Sequence, residues 1–255
     1  MTQVSEPALF YDALAPYYDL IFEDWGASMQ RQGAAIATLL RRFLPAAVVP
    51  LRVLDATAGI GTQSLPLAEL GFEVASRDVS SSAIARLARE AAQRGLTIDT
   101  AQADMRTVAT TISEPFDAVV SFDNSVSHLQ TDEDILSAFR SFHSCLRSGG
   151  VCLLSVRDYD RVERGKDLVQ AYGVRWREGT RYLPLQAWHW VSATHCDVTF
   201  YIIVEEQSAR LFQVTTRNYA ISTSRLLELL GQAGFAKCER LDETIYQPII
   251  AASRT

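Results

Sequence analysis

The sequence predicts an α/β protein with a mainly parallel sheet covered by helices on both faces. Three observations carry this. Apolar runs of strand length alternate with segments of helical period between residues 51 and 156. A Gly-x-Gly follows the first of those runs directly, and beyond Arg157 the pattern turns β-rich without intervening helices. The first feature argues for right-handed βαβ units, the last for an antiparallel insertion at the sheet's strand ends.

Taken in order, Ile36, Leu39, Leu40 and Phe43 follow the i, i+3, i+4, i+7 spacing of an amphipathic helix that Pro45 and Pro50 close. Leu51 to Leu54 reads as a buried strand, and Leu65, Ala68 and Leu70 resume a helical stripe up to Gly71. Pro66 is compatible with that helix only near its first turn, where a missing N–H costs little. Phe72 to Val79 is strand-like; Ser80 or Ser81 caps a helix with Ile84, Leu87, Ala88 and Ala91 on one face, which Gly95 terminates. Ile98 to Ala103 and Ala118 to Phe122 are further strands. Thr131-Asp132-Glu133-Asp134 starts a capped helix with Ile135, Phe139, Phe142 and Leu146 inward, Arg147 to Gly150 stops it, and Val151 to Val156 is the next strand. Leu183 to Val191, Val198 to Glu205 and Leu211 to Ala220 form the antiparallel insertion, in which Arg175, Arg177 and Arg181 are expected on a solvated face. A helix over Ser224 to Gly231 and a strand over Ile245 to Ala251 complete the chain.

Composition bounds the function. A chain of 255 residues admits one large domain, or a domain of roughly 150 residues with a substantial insertion. With 48% hydrophobic and 21% charged residues it has apolar side chain enough for a core, which excludes general disorder. Its 24 basic against 30 acidic residues give a formal charge of −6, so it lacks the basic footprint of a nucleic-acid binder, and a small substrate is expected. Met1 to Phe10 is neither basic nor apolar, and no apolar run is long enough to cross a bilayer; a cytoplasmic protein without membrane association is expected. Cys145, Cys152, Cys196 and Cys238 form no C-x-x-C pair, so no metal site is expected and they read as small buried hydrophobes.

The loop after the first strand, Asp55-Ala56-Thr57-Ala58-Gly59-Ile60-Gly61-Thr62, lets a cofactor approach the backbone closely. A nicotinamide fingerprint needs glycine or alanine where this chain has Ser64, and no G-K-[ST] is present for a triphosphate. Three aspartates sharpen the reading. Asp55 precedes the loop, Asp78 ends the second strand about twenty residues past the glycines, where a carboxylate can accept both ribose hydroxyls, and Asp104 ends the third. Asp104 offers an acceptor for an exocyclic adenine amine and Met105 an apolar surface for its ring. An adenosine without phosphate, beside a helix N-terminus that favours an amino-acid carboxylate, describes S-adenosylmethionine.

Through Val53-Leu54-Asp55-Ala56-Thr57-Ala58-Gly59-Ile60-Gly61-Thr62, Asp78 and Asp104-Met105, the chain resembles the class I S-adenosylmethionine-dependent methyltransferases. The resemblance extends over most of the chain and implies a Rossmann-like sheet. The chain is similar in particular to the glycine/sarcosine N-methyltransferase group, through Asn124-Ser125-Val126-Ser127-His128-Leu129 and through Arg157-Asp158-Tyr159-Asp160, which resembles that group's Arg-Asn-Tyr-Asp. Tyr17 to Trp25 and Tyr246-Gln247-Pro248-Ile249 look like related bacterial small-molecule methyltransferases. Two positions depart: Asp123 stands where the group usually has glycine, and Asp158 replaces its asparagine.

The resemblance implies a division into an N-terminal lid and helix (1–45), a cofactor-binding core (46–156), a β-rich substrate-side insertion (157–220) and a C-terminal helix with the last strands (221–255). It implies that Asp55, Ala56, Gly59, Gly61, Asp78, Asp104 and Met105 hold S-adenosylmethionine, that Tyr18 and Trp25 in the lid cover it, and that Arg31 reaches its methionyl carboxylate. Asn124, Arg157 and Asp123 then bind the acceptor, with Arg157 suited to a carboxylate by its fork geometry, and His128 and Tyr159 are the catalytic candidates. The implied reaction is N-methylation of a small amine of glycine/sarcosine type that carries a carboxylate. N- or O-methylation of another small metabolite, such as an amino sugar or a natural-product intermediate, and a non-catalytic S-adenosylmethionine-binding protein are the alternatives. A nicotinamide oxidoreductase is the reading from a different class.

Overall fold

The parallel strands lie between two helical layers, as the alternation of periods requires. The computed structural model describes residues 6–44, 50–242 and 244–255, so the expected helix stop at Pro45 lies outside the described residues. Helices α1 (Pro7–Leu14) and α2 (Trp25–Phe43) lead into β1 (Arg52–Asp55), α3 (Ser64–Glu69), β2 (Glu73–Asp78), α4 (Ser81–Gln93), β3 (Asp99–Gln102), β4 (Phe116–Ser121), α5 (Asp132–Cys145) and β5 (Leu146–Ser155). There follow β6 (Leu168–Ala171), β7 (Arg175–Arg177), β8 (Thr180–Trp190), β9 (His195–Glu205), β10 (Ala209–Tyr219), α6 (Thr223–Gln232), β11 (Ala236–Leu241) and β12 (Ile249–Ser253).

The larger sheet has the order β11-β12-β5-β4-β1-β2-β3. Strands β1 to β5 are mutually parallel; β12 joins β5 antiparallel and β11 joins β12 antiparallel. Chain order reverses between β1 and β4, which opens a crevice at their carboxyl ends. Alternation along each strand sends Leu54, Val119 and Leu154 to one face, against Phe139 and Phe142 of α5 and Leu226 and Leu230 of α6. Val53, Val120 and Leu153 face the other way, against Ile36 and Leu40 of α2 and Leu67 of α3. Burial on both faces is why these strands read as continuous apolar runs.

Side-chain caps fix where the helices begin. Ser80 Oγ accepts from Ala83 N at 3.0 Å, Thr131 Oγ1 from Asp134 N at 3.1 Å and Ser222 Oγ from Arg225 N at 3.1 Å. Pro66 is the third residue of α3, within the turn where no intrahelical N–H bond is lost. Arg147 to Gly150 differs from expectation. Instead of a free helix stop it begins β5, with a register shift opposite β4, because Gly149 N donates to Arg254 O at 2.7 Å and Arg254 N to Gly150 O at 2.9 Å. Helix α1 and strands β6, β7 and β11 were not legible, since each is short and none shows a clean apolar period.

The second sheet is antiparallel, in the order β10-β9-β8-β6 with β7 also on β8. Its inner face, including Trp188, Val198, Phe200 and Ile202, packs on Phe10, Leu14 and Leu20 of the N-terminal segment. Arg175 and Arg177 are not a solvated face: Arg175 Nε donates to Phe22 O at 2.6 Å and Arg177 Nη1 to Pro16 O at 2.9 Å, clipping that segment to the sheet. Arg181 does stay at the surface, paired with Glu205. On the core side, Asp12 Oδ1 accepts from Ser80 Oγ at 2.6 Å and Ser82 N at 2.9 Å, and Arg86 Nη1 donates to Ala15 O and Asp19 Oδ1. The N-terminal segment is therefore held between both sheets.

Helices α2 and α3 touch at Gly33, where a β-carbon would stand 2.6 Å from Pro66 Cβ. Gly33→Ala is expected to destabilise the protein by ~1–3 kcal/mol through overpacking, exceeding alanine's helix-propensity gain. Urea unfolding with an unchanged m-value checks this; wild-type stability contradicts it.

Candidate active site

The glycine loop is shaped from beneath by a buried chain of hydrogen bonds. Ser76 Oγ donates to Ser64 Oγ at 2.7 Å and Ser64 Oγ to Asp55 Oδ2 at 2.7 Å, while Thr57 N reaches Asp55 Oδ1 at 3.4 Å. Gly59 takes φ +52°, where a side chain is strained, and a β-carbon there meets nothing within 4 Å. Gly61 serves another purpose: at φ +99°, a β-carbon would stand 2.9 Å from Leu65, so its absence lets the loop close onto α3.

Asp78 faces the loop from the end of β2. Its Oδ2 accepts from Gly59 N and its Oδ1 from Ser80 N, each at 2.8 Å, leaving each oxygen further lone pairs. Burial pushes the Asp78 carboxyl up to about 6, opposed by those backbone hydrogen bonds, and the more enclosed Asp55 up to about 7. Asp104 goes the other way. Burial favours its neutral form, yet hydrogen bonds from the Arg106 side chain and backbone hold it below the usual carboxylate range.

Two cavities open here. The first, about 450 Å³, is walled by the loop (Ala56, Gly59, Thr62), by Asp78 and by Asp104-Met105-Arg106, and α1 roofs it with Pro7, Ala8 and Tyr11. The second, about 990 Å³, lies between the N-terminal segment, the inner face of the second sheet and the residues before β12, and carries Arg31, Asn124, Arg157, Tyr172, Trp188 and Tyr246. Tyr11, Tyr18, Asp123, His128 and Thr216 line both, so the cavities meet at these side chains.

At that junction His128 Nε2 lies 2.7 Å from the Tyr11 hydroxyl and His128 Nδ1 lies 3.2 Å from Thr216 Oγ1. Burial pushes His128 down to about 4, so it is neutral at neutral pH, and burial holds the Tyr11 and Tyr18 phenols well above their ordinary value. Asp123 and Asn124 both adopt left-handed backbone, φ +56° and +68°. Asp123 Oδ2 accepts from Gln63 Nε2 at 3.1 Å and Oδ1 from the Tyr246 hydroxyl; burial raises its pKa. Asn124 Nδ2 donates to Tyr159 Oη at 2.8 Å and Asn124 Oδ1 accepts from Arg157 N at 3.0 Å. The Arg157 guanidinium stacks over the Trp188 ring at 4.5 Å, and its buried Nε has no hydrogen-bond partner.

Of the expected site residues, Ala56, Gly59, Asp78, Asp104, Met105, Tyr18, Asp123 and His128 line the first cavity, and Arg31, Asn124 and Arg157 the second. Four lie elsewhere. Asp55 and Gly61 shape the loop from behind, Trp25 donates to Thr62 Oγ1 at 3.0 Å under the Arg86 guanidinium, and Tyr159 is 1% exposed, its hydroxyl turned to Asn124. Arg31 and the glycine loop line different cavities. Tyr11, Gln63 and Thr216 escaped the sequence reading because residues from α1, the α3 entrance and β10 meet only through the fold. Among the described residues no group of three or more His, Cys, Asp or Glu is placed to hold a metal, and no helix is long and apolar enough to cross a membrane.

A sheet with this strand order is Rossmann-like, with a glycine loop after β1, Asp78 closing β2 and Asp104 just beyond β3. Residues 53–150 match the methyltransferase domain family. The glycine/sarcosine N-methyltransferase of Parasynechococcus marenigrum is 34% identical over 147 residues, 58% of this chain and 50% of that protein. The enzyme of the same name from Aphanothece halophytica is 38% identical over 111 residues, 44% of this chain and 42% of its own. The chain thus spans about half the length of the curated relatives it matches or less. In fold the likeness is nearly complete: Streptomyces venezuelae DesVI superposes with a TM-score of 0.80 at 23% identity, over 94% of this chain and 98% of that one. The sugar N-methyltransferase KedS8 of a Streptoalloteichus species gives 0.78 at 20% identity, over 100% and 97%.

The raised carboxyls make stability pH-dependent. Asp55 and Asp78 ionise near 3.8 when unfolded but only near 7 and 6 when folded, so the stability of the ligand-free protein is expected to fall as pH rises from about 4 to about 7. Each group contributes a slope of at most about 1.4 kcal/mol per pH unit. Denaturant unfolding across that window checks it, and Asp55→Asn should flatten the profile.

Proposed function

We propose that this protein transfers a methyl group from S-adenosylmethionine to the nitrogen of a small-molecule amine. The observation that carries the reading is the meeting of two cavities at Tyr11, Tyr18, Asp123, His128 and Thr216, one suited to an adenosine and the other to an acceptor. When bound, S-adenosylmethionine supplies a methyl on a sulfonium sulfur. The residues of the first cavity fit it: Gly59 leaves its backbone open, Asp78 keeps lone pairs for ribose hydroxyls, and Met105 offers an apolar surface for adenine.

The protein's part is positioning and exclusion of water. On this reading Ala56, Gly59, Asp78, Asp104 and Met105 hold the nucleoside, Tyr11 and Tyr18 close the junction over it, and Asp55 and Gly61 set the loop's shape. Asn124, Asp123 and Arg157 take the acceptor. His128 orients Tyr11, and Tyr159 orients Asn124. Residues 1–45 act as the lid and its helix, 46–156 as the cofactor core, 157–220 as the acceptor-side insertion and 221–255 as the closing elements, in a cytoplasmic protein.

Glycine or sarcosine is the first acceptor to test, supported by the names of the curated relatives and by the buried, unpartnered Arg157 Nε beside the second cavity. A larger amine such as an amino sugar is the second reading. It is favoured by the cavity's 990 Å³, at the upper end of the roughly 300–1,000 Å³ that holds drug-sized ligands.

A panel of amino acids, their amides and amino sugars, scored by S-adenosylhomocysteine release, is expected to yield turnover with at least one amine. Binding of NAD in place of S-adenosylhomocysteine contradicts the reading. Asp78→Asn, which removes a charge from the ribose bonds, is expected to raise the S-adenosylhomocysteine Kd roughly tenfold or more with the fold retained. Unchanged affinity by calorimetry removes Asp78 from the site.

A further inference from the structure

Of the five side chains common to both cavities, four are unsuited to accept a proton. Both ring nitrogens of His128 are engaged, by Tyr11 and Thr216, and burial disfavours its cation. Tyr11 and Tyr18 are phenols held in the neutral form, and Thr216 is an alcohol. Asp123 alone brings a carboxylate. Each of its oxygens has one donor, Gln63 to Oδ2 and Tyr246 to Oδ1, so lone pairs remain on both.

Its backbone adds an independent observation. At φ +56° Asp123 occupies the left-handed region that glycine enters freely and other residues enter at a cost of about 1 kcal/mol or more. A glycine would relieve that strain, and the aspartate has no compensating backbone role: its N–H donates to Ser155 Oγ, a bond open to any residue.

Resting on the methyltransferase reading, we propose that Asp123 binds the acceptor as an ammonium ion at the junction of the two cavities and takes its proton. The acceptor N–H bond breaks, its electron pair stays on nitrogen as the nucleophile, and an O–H bond forms on the Asp123 carboxylate. The proton passes to water when product leaves. The substrate class is therefore an amine that is protonated in solution; an alcohol or amide acceptor brings no ammonium for this site to hold.

The groups around Asp123 fix the pH dependence. Gln63 and the Tyr246 hydroxyl contact it, Tyr11, Tyr18 and Asp55 sense its charge, and His128 at the same junction is neutral above about 4. Burial raises the Asp123 carboxyl, so the base is lost as pH falls through a value above the usual carboxylate range. Burial raises the Asp78 and Asp55 carboxyls as well, which makes saturating cofactor necessary for the measurement.

The experiment uses the full chain with Asp123→Asn and Asp123→Gly. With methylammonium chloride as probe, the side-chain carboxyl carbon resonance of Asp123 in aspartate-labelled protein bound to S-adenosylhomocysteine is expected to shift saturably. That resonance is assigned as the one missing from the Asp123→Asn spectrum. With whichever panel amine turns over, Asp123→Asn is expected to lower kcat/KM by roughly a hundredfold and to lose the acid limb of its pH profile. S-adenosylhomocysteine affinity should stay within a few-fold, and Asp123→Gly should match or exceed wild-type Tm. An Asp123→Asn enzyme that keeps the wild-type rate and acid limb, or an Asp123 resonance that methylammonium never moves, overturns the proposal. So does a large fall in Tm for Asp123→Gly, which marks a structural role. Failure of wild-type protein to bind S-adenosylhomocysteine counts instead against the methyltransferase reading.

Discussion

The contact on which the candidate site depends is the chain Tyr11–His128–Thr216. It joins one residue from α1, one from the turn after β4 and one from β10, so that the N-terminal segment, the parallel sheet and the antiparallel sheet meet at one imidazole. Hydrogen bonds so enclosed tolerate little slack, because an unpartnered nitrogen there bears its full desolvation cost. The outer ties, Asp12 to the start of α4 and Arg175 and Arg177 to the carbonyls of Phe22 and Pro16, hold the same segment from its two sides.

Electrostatics follow from that enclosure. Asp55 and Asp78 are buried and Asp123 half-buried at the carboxyl ends of the central strands, and desolvation pushes all three carboxyls upward. Their burden differs. Asp55 serves the loop from behind with no opening to either cavity, Asp78 faces the first, and Asp123 faces both. A ligand that brings positive charge to the junction relieves Asp123, in keeping with the proposed ammonium acceptor. Arg157 supplies the opposite sign deeper in the second cavity. Its stacking on Trp188 fixes the plane of the guanidinium without consuming its hydrogen-bond donors.

The parts of the fold legible in the sequence are those set by local period and local chemistry. Buried strands flanked by capped helices announce themselves: Val53-Leu54 before the glycine loop, Ser80 at α4 and Thr131 at α5 each state a local preference that the packing keeps. Gly59 and Asp78 were legible for the same reason, since the strand-loop-helix unit that holds them is nearly contiguous in sequence. Tyr159 and Trp25 were legible as conspicuous residues but not in their placement. One props Asn124 and the other packs under Arg86, because side-chain direction depends on neighbours far along the chain.

By itself, then, the sequence determined the class of sheet, the glycine loop after β1 and the carboxylates at or just beyond the ends of β2 and β3, all of which rest on interactions within about thirty residues of a βαβ unit. Only the tertiary structure decided that Tyr11, Asp123, His128 and Thr216 share one junction, that Arg31 lines the second cavity, and that Arg175 and Arg177 are clips rather than surface charges. Those placements come from docking α1 and the antiparallel sheet over the strand ends. The contacts span the chain from α1 to β10, and no local propensity encodes them.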